Sequence, residues 1–255
     1  MDLHEVLIGA ILGGLAGALG GLVGVGGGTI IIPILVLLFG YSQHEAQGTA
    51  LMAFAFPIYI AATWNYYRFG RVRLRLALIA GAALAVTSYL SAVWVQHLKS
   101  DELKKIFAVF LIITGGYVLW KSFRPIRVQA DEALSRAREW WVGLLVGSIT
   151  GLLKGITGLG GGVVMVPLLL LLGRLDQHTA QGTSLMTMTL PVAFTAAIPY
   201  WEAGHIKWWL VLGLVIGVIL GSFFSSRIAQ KLAGRLLAQI FAFTISVMGV
   251  ILLLK

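Results

Sequence analysis

The chain has 255 residues, of which 58% are hydrophobic and 11% are charged, with a formal net charge of +9 and no cysteine. At a mean hydropathy of +0.92, a soluble globular protein would have too little polar surface to stay in solution. The composition therefore predicts an all-α polytopic membrane protein. The lack of cysteine excludes disulfides, thiolate metal sites and cysteine nucleophiles.

Ten apolar segments follow one another in two sets of five, and several approach the roughly 20 residues that cross a bilayer. The second segment of each set is short, which is typical of a half-helix. We predict roughly 8–10 membrane segments, in a first membrane repeat over 1–121 and a second over 140–255, joined by a charged cytoplasmic linker over 122–139. The segments are 5–23, 29–40, 48–67, 74–96 and 104–121, then 140–157, 163–173, 182–200, 207–226 and 236–254.

Residues 24–57 and 158–191 are two copies of one stretch. Aligned without gaps at an offset of 134, they are identical at 17 of 34 positions. Apolar composition alone does not produce the shared pattern QHxAQGT. We infer an internal duplication, and we expect the function to lie where the two copies meet.

The distribution of Lys and Arg favours an odd number of passes in each half. Five passes per half, with a cytoplasmic linker, place 13 of these residues inside and 5 outside, whereas four passes place 11 inside and 7 outside. Cytoplasmic loops carry the excess of Lys and Arg in membrane proteins. The halves are therefore predicted to be inverted repeats. Because topology accounts for the positive charge, we expect no nucleic-acid partner.

Each copy places four glycines in five positions just before its short second segment. Glycine is unfavourable inside a helix, so these stretches predict broken helices. The free N–H groups at the start of the following half-helix favour an anion. Close helix packing through small residues is the alternative. We favour one substrate site shared by both copies, with Gly26, Gly27, Gly28, Gly160, Gly161 and Gly162 as its glycines.

A polar turn leads into the third segment of each copy. Glutamine is an uncharged donor that can reach into a cavity, and threonine there can bind a ligand or cap the helix. The residues of this turn that we predict to bind substrate are Gln47, Thr49, Gln181, Thr183 and Ser184. His44 and His178, three residues earlier, are assigned to interfacial packing or to gating. Without a carboxylate pair beside them, they predict no metal site.

Lys154 is the one Lys or Arg well inside a predicted apolar segment, and its counterpart in the first half is Gly20. An ionisable group at such depth is costly, and its default interpretation is functional. We assign Lys154 to binding an anion. The alternative is a side chain that extends to the membrane surface.

A doubled GxGGG motif, each followed by a proline and a QGT-[AS]-L turn, resembles the sulfite exporter TauE/SafE family. The resemblance covers essentially the whole chain. It implies a bacterial or archaeal inner-membrane permease, with members linked to the export of sulfite, sulfoacetate or related small sulfur-containing anions.

The sequence therefore predicts a secondary transporter that exports small anions by alternating access between the repeats, with a passive anion channel as the alternative. It contains no P-loop, HExxH or GxSxG motif, so we expect neither nucleotide hydrolysis nor an enzyme, and no cofactor. The expected partners are a small anion, the lipid bilayer and, in a coupled mechanism, a coupling ion. The oligomeric state is left open.

Overall fold

The computed structural model describes residues 3–23, 27–58, 60–123, 136–159, 161–190, 192–229 and 234–254. All regular secondary structure in these ranges is α-helical, which confirms the predicted fold class. The helices are α1 (Leu3–Val23), α2 (Gly28–Phe39), α3 (Gln43–Ala55), α4 (Ile60–Arg68), α5 (Leu74–Val95), α6 (Ser100–Phe123), α7 (Arg136–Thr157), α8 (Gly162–Leu171), α9 (Gln177–Thr189), α10 (Val192–Glu202), α11 (Trp208–Ala229) and α12 (Gly234–Leu254).

Three helices in the described part of the chain are long and apolar enough to cross a membrane: Leu74–Val95, Ser100–Trp120 and Arg136–Thr157. Five shorter apolar helical stretches accompany them. Two predicted site glycines, Gly26 and Gly160, lie outside the described residues, as do 124–135 of the predicted linker. Helix α6 continues to Phe123 and α7 begins at Arg136, so both ends of the predicted linker are helical.

The third apolar segment of each half forms two helices, so the prediction of one continuous segment over 48–67 and over 182–200 is wrong. In the first half, α3 ends at Ala55 and α4 starts only at Ile60. Pro57 has no N–H to donate and excludes helical geometry in the residue before it, and Phe56 is accordingly extended, with ψ 148. Leu190, which precedes Pro191, has the same geometry, with ψ 151.

Both third segments also begin earlier than predicted, because a side chain caps each of them. Ser42 accepts a hydrogen bond from the Glu45 N–H, and the Glu45 side chain accepts one from the Ser42 N–H, which completes a capping box. In the second half, Asp176 caps α9 by accepting from the N–H groups of His178 and Thr179. The sequence QHxAQGT is therefore the first turns of a helix and not a loop.

The short α2 runs back along the first part of α1. A methyl group built on Gly27, just before α2, would lie 2.8 Å from the Ala16 side chain, and Tyr41, just after α2, donates a hydrogen bond to Glu5 at 3.1 Å. The 12 residues of α2 span about 18 Å, roughly half of a bilayer. The following helix returns inward, since Phe54 lies beside Gly28. Helices α2 and α3 thus form a hairpin of half-helices.

Helix bounds recur at the offset of 134: α3 corresponds to α9, and α5 to α11, at both ends. The long helices pair across the halves, α1 with α11 and α5 with α7. Each of these pairs is parallel, whereas α6 and its counterpart α12 are antiparallel, since Gly115 lies against Ala242 and Gly249 against Ala108. Antiparallel counterparts are what an inverted repeat produces. The orientation of the halves in a membrane stays a prediction.

Small residues let α1 and α11 approach closely. A methyl group added at Gly13 would strike the Leu214 carbonyl, whereas one added at the neighbouring Gly14 would lie 3.9 Å from the nearest atom, the Gly217 carbonyl oxygen. Helices in lipid associate through such packing, because the bilayer is as apolar as their side chains.

We predict that Gly13→Ala lowers stability by about 1–3 kcal/mol, because overpacking against backbone outweighs the better helix propensity of alanine. Gly14→Ala provides a matched control with the same gain in propensity, and should melt at or above the wild-type temperature. The measurement is the melting temperature of each monodisperse variant in detergent. Equal melting of the two variants would contradict the close approach of α1 and α11.

Candidate functional site

The polar residues of the repeated turn bond to the opposite half, in two equivalent sets. Thr183 Oγ1 accepts a hydrogen bond from the Arg73 N–H at 3.1 Å, and Tyr66 donates to Gln181 Oε1 at 3.2 Å. We call this set the first clamp. Both of its bonds join the first half to the second.

The second clamp repeats these bonds with the halves exchanged. Thr49 Oγ1 accepts from the Lys207 N–H at 3.1 Å, and Tyr200 donates to Gln47 Oε1 at 2.9 Å. Each of its residues lies 134 positions from its equivalent in the first clamp. The repeated sequence therefore produces a repeated contact between the halves.

Both clamps need glycine where the chains cross. A side chain at Gly182 would strike the Arg71 carbonyl, and one at Gly48 would lie 2.8 Å from Tyr200 and 3.0 Å from the His205 carbonyl. The glycine in QGT is thus explained by the close approach of the partner half. Close packing was also the alternative explanation for the glycines of the GxGGG motifs.

The two clamps lie at opposite ends of α5. This helix begins next to Arg73 in the first clamp and ends at Val95, whose carbonyl lies 3.2 Å from Nε2 of His44, beside the second clamp. Its 22 residues span about 33 Å, close to the thickness of a bilayer core. The clamps are therefore separated by about the thickness of the membrane.

The capping alternative for the two threonines is wrong. Thr49 and Thr183 are fully buried inside their helices, and both accept from the opposite half. Ser184 is likewise buried. Binding of substrate by these residues and by the two glutamines stays a prediction. One free donor supports it, since Gln47 Nε2 is buried and has no partner among the described atoms.

The two glycine-rich stretches meet. A methyl group on Gly28 would lie 3.3 Å from Leu159 and 3.6 Å from the Gly158 carbonyl oxygen, and one on Gly158 would lie 2.8 Å from Gln47. Gly158 and Gly161 have positive φ values of 71° and 67°, which require glycine. The second stretch is thus a break between α7 and α8, adjacent to the first stretch and to the second clamp.

Lys154 is buried beside this break. Only 1% of it is exposed, so it does not extend to the surface. Its Nζ and the Thr150 hydroxyl are buried without a hydrogen-bond partner in the described ranges. Both line a small cavity of ≈ 10 Å³. The other lining residues are Phe110, Leu153, Thr157, Leu159, Gly161, Val163 and Val164.

The electrostatics of this cavity favour an anion. Its lining contains no Asp or Glu among the residues described, so the Lys154 ammonium has no counter-charge there. Gly161 and Gly162 begin α8, whose N-terminus has no side-chain cap and carries partial positive charge. A buried cation without a partner is costly, and an anion between it and the helix N-terminus would remove that cost.

Sequence reasoning missed the tyrosines and the basic residues of the clamps. Tyr66 and Tyr200 are themselves equivalent at the offset of 134, as are Arg73 and Lys207. The two aligned stretches end at Pro57 and Pro191, and these pairs lie beyond them. Extending the comparison would have found the identical tyrosines, though not their partners.

The ends of the molecule differ in exposure. Next to the first clamp, a surface groove of ≈ 370 Å³ is lined by Asn65, Tyr66, Phe69, Arg71 and His178. We call it the groove. His178 is exposed, whereas its equivalent in the first half is buried.

At the second clamp the equivalent space is filled. His44 is 6% exposed, and its ring centroid lies 5.1 Å from that of His205 and 6.4 Å from that of Tyr200, which is fully buried. Burial in the loop lowers the pKa of His205, and the proximity of His44 lowers it further. His205 is therefore neutral at neutral pH and packs against His44.

Comparison with known proteins places the chain among membrane transporters. The family model described as sulfite exporter TauE/SafE matches residues 9–252. The probable membrane transporter protein YdhB of Bacillus subtilis is 26% identical over 199 residues, which cover 78% of this chain and 80% of that protein. A probable membrane transporter protein of Methanocaldococcus jannaschii is 32% identical over 168 residues, which cover 62% of this chain and 59% of that protein. No solved structure matched.

We predict that Tyr200→Phe destabilises the protein by about 1–3 kcal/mol, because it leaves the buried Gln47 Oε1 without its donor. Tyr66→Phe should have a smaller effect, below about 1 kcal/mol, because Tyr66 and Gln181 are only half-buried and water can replace the hydroxyl. Thermal unfolding of both variants in the same detergent measures the difference. A larger loss for Tyr66→Phe would contradict the greater burial of the Tyr200–Gln47 bond.

Proposed function

The chain belongs to the sulfite exporter TauE/SafE family, and on that basis we propose that it is a secondary transporter that exports small anions across the inner membrane. We propose sulfite, an organosulfonate or a related sulfur-containing anion as its substrate. Membership of a transporter family makes it a multi-pass membrane protein with a transport function. The substrate, the direction of transport and the mechanism are our proposal.

The buried Lys154 ammonium at the N-terminus of α8 carries this proposal. A single positive charge, the free N–H groups of a helix start and the Thr150 hydroxyl are suited to a small oxyanion, which accepts several hydrogen bonds. Gly28 and Leu159 bring the two glycine-rich stretches together next to this cavity. Both halves therefore contribute to the proposed site, as alternating access between repeats requires.

The small volume of the cavity supports a transporter over a permanently open channel. A volume of ≈ 10 Å³ accepts about one water molecule, so an anion enters only when the surrounding helices move. The sequence carries no nucleotide-binding motif. A membrane potential that is negative inside drives a monovalent anion outward by about 2.3 kcal/mol per 100 mV, so export does not require a coupling ion.

We expect Lys154→Gln to weaken binding of sulfite by about 10-fold or more, because it removes a charge-assisted hydrogen bond in a dry site. Lys154→Arg should retain part of the affinity, because it keeps the charge but changes the shape. Lys99→Gln, at an exposed position, is the control for the same change of charge. Calorimetry on the monodisperse protein gives binding per folded molecule. A folded Lys154→Gln protein with wild-type affinity would exclude Lys154 from the site.

Counterflow distinguishes the transporter from the channel. Liposomes preloaded with unlabelled sulfite should take up external labelled sulfite faster than empty ones if a carrier must reorient with its substrate. A channel gives no such acceleration. Uptake that is unaffected by preloading would contradict alternating access while leaving anion transport intact.

A further inference from the structure

The groove at the first clamp is positively charged and open. Arg71 and His178 line it, and the Arg71 side chain is 52% exposed. Its only ion pair recorded among the described residues is with Asp176, at 3.6 Å, which leaves other guanidinium N–H groups for a ligand. Such an exposed, long ion pair contributes little and is readily exchanged for another anion.

The surroundings increase this positive charge. The turn between α4 and α5 carries Arg71 and Arg73, and the neighbouring turn before α9 carries Arg174. Like-charged residues around a concave surface raise the local concentration of ions of opposite charge. Anions are therefore concentrated at this end of the molecule.

The second end lacks these properties. Lys207 is held by Glu45 at 2.9 Å, and His205 stands where the groove has Arg71. The buried His44 stands where the groove has the exposed His178. Two equivalent sites thus differ in charge and in access: the one at the first clamp is cationic and open, and the one at the second clamp is closed.

We propose that the groove is the site at which the transported anion first binds, with Arg71 as the residue that binds it. The inner cavity at Lys154 lies towards the other end of α5, since the neighbouring Gly155 packs against Ser91 and Gly158 against Gln47 of the second clamp. The inference rests on the proposed function. A small oxyanion or sulfonate is the class of ligand, because the planar guanidinium matches two oxygens of such a group. This end of the molecule carries Arg68, Arg71, Arg73, Arg75 and Arg174, which place it in the cytoplasm by the positive-inside rule. The groove therefore loads the protein for export.

The first test measures uptake of labelled sulfite into inverted vesicles, whose outer face is cytoplasmic. Arg71→Gln should raise the half-saturating sulfite concentration by about 5-fold, because a charge-assisted contact is lost. Arg71→Lys should give an intermediate value. Arg68→Gln removes the same charge from an exposed residue nearby that does not line the groove, and should leave the value within a factor of two of wild type.

Asp176→Asn separates binding from structural support. Asparagine keeps the helix cap but breaks the ion pair with Arg71. If Arg71 binds the anion, this variant leaves the half-saturating concentration unchanged or lowers it. If Arg71 only supports the turn through Asp176, the variant raises the concentration as Arg71→Gln does. That result would overturn the proposal, as would equal effects of Arg71→Gln and Arg68→Gln.

The second test asks which end is open, without using a substrate. Because the chain has no cysteine, His178→Cys and His44→Cys each introduce a single thiol at equivalent positions. An impermeant maleimide should label position 178 in inverted vesicles only, and position 44 poorly from either face. Labelling of position 178 from the periplasmic face, or equal labelling of both thiols, would overturn the assignment. If wild type transports none of sulfite, sulfate, thiosulfate and sulfoacetate, the proposed function itself fails, and the groove proposal fails with it.

Discussion

The exchange of contacts between the halves is the constraint on which the rest of the structure depends. Helix α1 packs against α11 and α5 packs against α7, so the most extensive helix–helix interfaces join the two halves. In lipid there is no hydrophobic force to hold helices together, and close packing through glycine with hydrogen bonds between helices must do so. The clamps supply these bonds at both ends of α5. Neither half therefore packs as an independent unit.

This arrangement gives the chain two equivalent clamps in different surroundings. Tyr200 and Gln47 are joined at 2.9 Å and Tyr200 is fully buried, whereas Tyr66 and Gln181 are joined at 3.2 Å beside open space. Alternating access, as proposed above, would require the two ends to exchange these surroundings. The difference arises from the flanking residues, since the Arg71 position is histidine in the second half.

Hydropathy, glycine pattern and repeat were enough to predict the fold class and the stretch at which the halves meet. They were not enough to predict the helix breaks at Pro57 and Pro191, because hydropathy averages over a break of a few residues. Nor do they show which residues far apart in the sequence form hydrogen bonds, such as Tyr200 and Gln47, which are 153 positions apart. Local patterns carry no information on such partners. Lys154 was recognised from its depth alone, and the structure adds that its amine has no partner in the described part of the cavity.

The asymmetry at Lys154 suits the proposed carrier of small anions better than a symmetric site would. Its equivalent is Gly20, so one positive charge serves a cavity to which both halves contribute. One cation and one monovalent anion leave the loaded site neutral, and a neutral site costs less to enclose in a low-dielectric interior than a charged one. Two lysines would leave a net charge with a monoanion and hold a dianion too tightly for release, and transport needs binding weak enough to reverse. The empty site retains an unpaired buried cation, so we expect the closed, empty state to be the least stable of the cycle.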